Sequence, residues 1–147
     1  PYGKIIDTDE NCPTLTYNTI ARHQSKIVRT RIASNKSPWL SMTNVGDIYS
    51  VPISHGEGRF IADEDLILKL AENGQIATQY VDFDDNATSD IRFNPNGSMY
   101  AIEGITSPDG RVFGKMGHSE RIGSGLYKNV PGNYNIHMFE AAVRYFR

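Results

Sequence analysis

The chain has 147 residues, 39% hydrophobic and 22% charged, with a formal net charge of -2 and a pI of about 6.1. That is the size and balance of one globular domain, or part of one, able to bury a sizeable core. The slight acidity argues against nucleic acid as a partner, no apolar run approaches the ~20 residues that span a bilayer, and the single cysteine, Cys12, leaves no internal disulfide framework and favours a reducing compartment, the cytoplasm.

Residues 1–24 are mixed and turn-rich. The sequence opens at Pro1 directly in globular-looking chain, with no signal segment, which predicts a piece cut from a longer protein. Residues 25–33 read as a half-exposed strand, with Val28, Thr30 and Ile32 on one side and Ile27, Arg29 and Arg31 on the other. Residues 48–53 form a short apolar strand despite Pro52. Residues 63–73 are the clearest helix: Asp63 can cap it, Asp65 sits in its first turn, Leu66, Ile67 and Leu70 make its apolar face, and Gly74 can take the left-handed stop. Strand is expected again over 75–83, a polar loop over 84–90, a tight turn over Asn94–Gly97 and strand over 98–105. Asp109-Gly110 signals a hairpin turn, with 111–116 as the returning strand. The chain closes in an amphipathic helix, with Ile136, Phe139, Val143 and Phe146 at helical spacing. Pattern alone leaves α/β and α+β open.

Two stretches can carry chemistry, His55-Gly56-Glu57 and His118-Ser119-Glu120, each after a predicted strand and each beside glycines that let a backbone approach a ligand. Residues two apart in extended chain share a side, so Glu120 can orient the His118 imidazole, the orienter-and-base half of a nucleophilic triad. On spacing alone the commoner reading is a surface histidine beside a surface glutamate. The two pairs together can also be read as four metal ligands, but no His-x-x-x-His or cysteine spacing supports a metal, and none is expected. Cys12 follows Asp7, Asp9 and Glu10, which raise a thiol pKa, and reads as incidental. Trp39 reads as a packing anchor, Tyr80, Phe83 and Tyr100 as core, and Arg29 and Arg31 as a solvated strand face.

The stretches SPWLS (37–41), VPISHGEGRF (51–60), GQIATQYVD (74–82), NPNGSMYAIEGITSPDGRVFGKMGHSER (94–121) and LYKNVPGN (126–133) resemble, in order and spacing, the glutaminase domain of phosphoribosylformylglycinamidine synthases. The form with the glutaminase at the C-terminus of one long chain is the nearer likeness, the separate-subunit form a close second. The resemblance implies an α/β, class I glutamine amidotransferase-like (flavodoxin-like) fold and a Cys-His-Glu triad. In that triad a cysteine in a Gly-x-Cys-x-Gly-x-Gln elbow attacks glutamine. The ammonia released passes to a synthetase region that uses ATP and Mg to amidate formylglycinamide ribonucleotide in purine biosynthesis. His118 then corresponds to the base, Glu120 to its orienting carboxylate, and Ser54, His55 and Gly56 to the segment along the bound glutamine.

Cys12, in DENCPT, has none of the elbow's glycines and no following Gln. The resemblance therefore implies that residues 1–147 are the C-terminal portion of the domain, N-terminally truncated, with the elbow upstream of Pro1. Alone, the chain should be inactive, with no cofactor of its own. A sheet lacking its first strands should expose apolar surface and invite a homodimer. Two other functions compete: a non-catalytic assembly module on the same fold, and a metal-dependent hydrolase using both His-x-Glu pairs.

Overall fold

The computed structural model of the chain describes residues 12–147. The reading of residues 1–11, including the acidic neighbours of Cys12, lies outside the described residues. Strands β1 (Thr14–Tyr17), β2 (Gln24–Ile32), β3 (Ile48–His55), β4 (Glu57–Ile61), β5 (Ile76–Tyr80), β6 (Ile102–Thr106) and β7 (Phe113–Lys115) combine with helices α1 (Glu64–Glu72) and α2 (Met138–Phe146). A five-stranded sheet runs β3-β2-β5-β6-β7, and β1 pairs with β4 in a separate ribbon. The pairings between described strands are antiparallel.

The alternation in β2 holds: Val28, Thr30 and Ile32 are buried, while Ile27, Arg29 and Arg31 are half-exposed. The two arginines do more than face water. Arg29 donates to the Asp82 carbonyl and pairs with Asp85, and Arg31 donates to the Asp85 carbonyl, so together they pin the 82–85 loop to the sheet. Pro52 is accommodated because β3 is an edge strand. On its outer side the Ser50 N–H donates to the Asn133 carbonyl and the Pro52 carbonyl accepts from the His118 N–H, so the missing proline N–H falls where the sheet does not need one.

Helix α1 begins after Asp63, which takes the N-cap position with extended backbone but makes no side-chain capping bond. Ile67 and Leu70 point inward, Leu66 packs at the margin, and Gly74, at φ 65°, stops the helix as expected. This face packs on Phe60, Ala62, Ile76 and Ile102. A second cluster, Ile32, Leu40, Tyr49, Ala77, Ile136 and Met138, seats the start of α2. Trp39 anchors there as anticipated, its indole N–H donating to the Arg111 carbonyl at 2.8 Å.

The expected apolar face of α2 is corrected. Ile136 is buried, but within the helix the inward residues are Met138, Ala141 and Ala142, while Phe139, Val143 and Phe146 are each about half exposed. Small alanines let the helix lie close to its support, which turns the larger side chains outward. Two aromatic assignments also fail. Phe83 is 78% exposed, because β5 ends at Tyr80 and Phe83 rides on the pinned loop, edge-on to Phe93. Tyr100 is 55% exposed, because Tyr100 and Ala101 take left-handed backbone, φ 50° and 57°, which no strand continues. A 3-10 turn over Met99–Ala101 therefore replaces the start of the expected strand, and β6 begins at Ile102. Tyr80 is fully buried, as expected.

The turn at Asn94–Gly97 closes with a Gly97 N–H to Asn94 carbonyl bond, yet it is buried and not a surface tip. Asn94 folds its amide back onto the Ser98 main chain, and Asn96 donates to the Tyr80 hydroxyl at 3.0 Å. The loop thus fills the interior with amide hydrogen bonds in place of a hydrophobic plug, although Asn96 Oδ1 is buried without a partner among the described residues. The strands β1 and β4 were not anticipated. GEGRF reads as a glycine-rich loop in sequence, but Gly58 sits where a Cβ would meet the Asn96 amide at 2.6 Å, so its glycine serves packing.

Candidate active site

His55 ends β3 and His118 lies in the loop after β7. The His118 N–H to Pro52 carbonyl bond, 2.8 Å, fastens that loop to the strand carrying His55. The two imidazoles come face to face, centroids 5.1 Å apart and planes 13° from parallel. His118 Nδ1 lies 2.7 Å from Glu120 Oε1. An ionised carboxylate only accepts, so the proton resides on Nδ1. That leaves Nε2 as the basic nitrogen, and it is buried with no hydrogen-bond partner among the described residues. A base held by its far nitrogen, with the near one unmatched, is the configuration that accepts a proton from a nucleophile or a water.

Burial alone would raise the Glu120 carboxyl. Its backbone hydrogen bond, the His118 bond and the charges of His118 and Arg121 outweigh that and hold it below its ordinary 4.5. The orienting contact is therefore present above that range and is lost as pH falls through the depressed value.

His55 is held below its ordinary 6.5, first by burial and then by the positive charge that His118 can carry, with Arg121 and His23 adding and Glu103 opposing. At neutral pH His55 is thus neutral, a partner that stacks on His118 without competing for its proton. The sign follows: the folded state disfavours protonated His55, so stability is full above 6.5 and declines as pH falls through 6.5 towards the depressed value. Thermal unfolding followed from pH 7.5 to 5 should show a falling midpoint, and His55→Gln should flatten the fall. Equal slopes for both proteins would contradict the assignment.

Ser54 and Gly56 do not join the imidazoles directly. The Ser54 hydroxyl lies 3.2 Å from His23 Nε2, while the carbonyls of His55 and Gly56 accept from Asn18. Gly56 has open space where a Cβ would stand. Glu57 begins β4. The cavity at the imidazoles, about 310 Å³, is lined by His55, His118 and Glu120, the 113–117 stretch, Met138 and Phe139. That is the lower end of small-molecule clefts, ~300–1,000 Å³. Cys12 lines a different cavity, with Asp63, Glu64, Asp65 and Lys69, none of which borders His118. The two His-x-Glu pairs gather no group of three or more possible metal ligands among the described residues.

Beneath the loop lies what the sequence reading missed. Glu103 and Lys115 form a buried ion pair, 3.6 Å apart, with side-chain exposures of 0% and 7%. Glu103 accepts from the Gly117 N–H and from the Thr78 hydroxyl, and Lys115 donates to the Ser119 hydroxyl at 2.9 Å. The available signal was a lone charge inside the apolar strand IEGIT. Burial first, and the Glu103 charge second, push the Tyr80 hydroxyl well above its ordinary 10.0.

Gly117 has no room to change. A Cβ there would stand 2.6 Å from Val51 Cγ2 and 2.9 Å from Glu103 Oε1. Gly117→Ala should lower stability by ~1–3 kcal/mol through overpacking, whereas Gly56→Ala, with nothing within 4 Å, should not. Denaturant midpoints for both variants check this, and equal midpoints would contradict it.

Residues 1–146 match the family described as the CobB/CobQ-like glutamine amidotransferase domain. Among curated proteins, the chain is 39% identical over 105 residues to the phosphoribosylformylglycinamidine synthase subunit PurQ of Synechocystis sp., covering 71% of this chain and 46% of that protein. It is 36% identical over 161 aligned residues to the same subunit of Methanococcus maripaludis, covering 95% of this chain and 57% of that protein. The chain thus spans about half the length of the curated relatives it matches. The solved structure of PurLQS from Thermotoga maritima superposes with a TM-score of 0.67 at 24% identity, over 92% of this chain and 54% of that one. The fold is therefore the α/β, class I glutamine amidotransferase-like fold. No helix among the described residues is long and apolar enough to cross a membrane.

Proposed function

The chain belongs to the CobB/CobQ-like glutamine amidotransferase family, and on that premise we propose that it is the base-bearing part of a glutaminase that supplies ammonia to a phosphoribosylformylglycinamidine synthase. One observation carries the reading: His118 is held through Nδ1 by Glu120 while Nε2 is buried with no partner among the described residues. In this reading the nucleophile is a cysteine outside this chain, in the glycine-rich elbow that the family places ahead of this stretch. His118 Nε2 takes the thiol proton as sulfur attacks the glutamine side-chain carbonyl. It returns the proton to the departing amine, so that ammonia leaves. It then takes a proton from water, which attacks the thioester and releases glutamate and the thiol. Glu120 fixes the tautomer and stabilises the imidazolium.

Ser54, His55 and Gly56 lie along the glutamine, with His55 as the neutral wall of the site. The ammonia passes to a synthetase region, and the ATP and Mg that the amidation needs belong to that region. A cytoplasmic setting fits a sequence that holds one cysteine. The outward face of α2, with Phe139, Val143 and Phe146, offers apolar surface for the synthetase region or for a second copy. Phe139 also borders the site, so a partner docked there would adjoin it.

Ammonia release from glutamine, measured for this chain and for a protein of the relatives' full length, tests the proposal. Release by the longer protein alone is expected. Release by this chain unaided would remove the need for an outside cysteine. No release by either, even with the synthetase region present, would favour a non-catalytic assembly module.

A further inference from the structure

We propose that the buried Glu103–Lys115 ion pair is the positioning device for His118, acting on the two residues that flank it. The proposal deepens the glutaminase reading and rests on it for the chemistry. Glu103 reaches the residue before His118 through the Gly117 N–H, and Lys115 reaches the residue after it through the Ser119 hydroxyl, 2.9 Å. The opposite carboxylate oxygen is held by Thr78 of β5, so the pair hangs from the middle of the sheet and not from another loop. The Glu103 carbonyl also accepts from the Met116 N–H, which carries the β6–β7 alignment up to the residue where the loop departs. The imidazole between these anchors is then clamped by Glu120 on one side and stacked on His55 on the other.

A purely structural role does not call for charge. Apolar side chains of similar volume in place of a buried ion pair are often as stable or more so. What the pair adds is direction. A carboxylate accepts two bonds at fixed angles and an ammonium donates a third, and here two of those three end on the immediate neighbours of His118. Gly117 allows the arrangement because any Cβ there would collide with Glu103 Oε1, so the carboxylate touches main chain directly. Glu103 and Lys115 also border an apolar cavity lined by Leu15, Phe60 and Ile102, and Lys115 borders the imidazole cavity as well. Lys115 therefore lies between the two cavities. The effect of the pair on the reaction runs through His118, by way of the Gly117 N–H and the Ser119 hydroxyl.

Ser119→Ala cuts the Lys115 link without leaving a lone buried charge, and Ser119→Thr restores the hydroxyl. A double variant, Glu103→Gln with Lys115→Met, removes both charges while keeping volume. The first readout is proton NMR on this chain: the downfield imidazole proton between His118 Nδ1 and Glu120, and its exchange with water. Ser119→Ala and the double variant should speed that exchange about tenfold, the scale of one lost hydrogen bond. Ser119→Thr should restore the wild-type rate. The second readout is glutamine hydrolysis by the full-length protein, where kcat should fall about tenfold with KM unchanged, as for a positioning effect. Unchanged proton exchange in Ser119→Ala would overturn the positioning role whatever the activity. A wild-type protein that shows the exchange effects but never hydrolyses glutamine would overturn the glutaminase reading and leave the positioning role standing.

Discussion

His118→Ala should abolish glutamine hydrolysis by a protein of the relatives' full length that contains this chain, lowering kcat by about 10⁴–10⁶-fold with little change in KM, since triad members act as a unit. Steady-state ammonia release with and without the synthetase region measures it. The size follows from the geometry. Among the described residues Nε2 of His118 is buried without a hydrogen-bond partner while Glu120 holds its other nitrogen; Nδ1 of the neighbouring His55 is also unpartnered, but burial first disfavours protonation of that imidazole. Glu120→Gln should lose less, about 10⁴-fold, because an amide can still accept from Nδ1 but can also favour the wrong tautomer. A His118→Ala protein with a kcat within tenfold of wild type would assign the base elsewhere.

Glu103→Ala should be the most destabilising single change among the described residues of the site, costing ~3–5 kcal/mol, because it leaves Lys115 charged and buried without its partner. The Gly117 N–H and the Thr78 hydroxyl lose their acceptor at the same time. Against a total stability of ~5–15 kcal/mol, a loss of that size lowers the melting temperature by about 10 °C. Chemical denaturation of the chain checks it. The neutral double variant, Glu103→Gln with Lys115→Met, should recover most of the loss, since no lone charge remains. A Glu103→Ala protein as stable as wild type would mean that water or movement of Lys115 relieves the charge.

The fold was legible where periodicity and turn chemistry point the same way. β2 shows its alternation because one face is buried, and α1 shows both its face and its glycine stop. The failures share a cause: neighbours that local pattern does not contain. α2 has the right helical spacing, but the partner surface accommodates its small residues, so Ala141 and Ala142 turn inward and Phe139, Val143 and Phe146 outward. Tyr100 looks like strand and becomes left-handed backbone beside a buried turn. GEGRF looks like a ligand loop and opens β4, whose residues pair with β1 residues 40 to 47 positions earlier in the chain.

The site divides the same way. His118 and Glu120 sit two apart, so extended geometry alone lets one orient the other, and the structure joins them at 2.7 Å. His55 reaches His118 only through β3 and the Pro52 carbonyl, a contact between residues 52 and 118 that sequence spacing does not encode. Glu103, Lys115 and Ser119 escaped because their roles appear only when two strands and a loop meet. An isolated Glu in an apolar strand was the one visible trace.

The most direct measurement is covalent trapping. A protein of the relatives' full length that contains this chain is treated with an electrophilic glutamine analogue and read by intact mass and peptide mapping, as wild type and as His118→Ala. The account predicts one adduct, on a cysteine outside this chain, formed rapidly by wild type and lost in His118→Ala. An adduct on Cys12, or one that forms equally fast without His118, would contradict it.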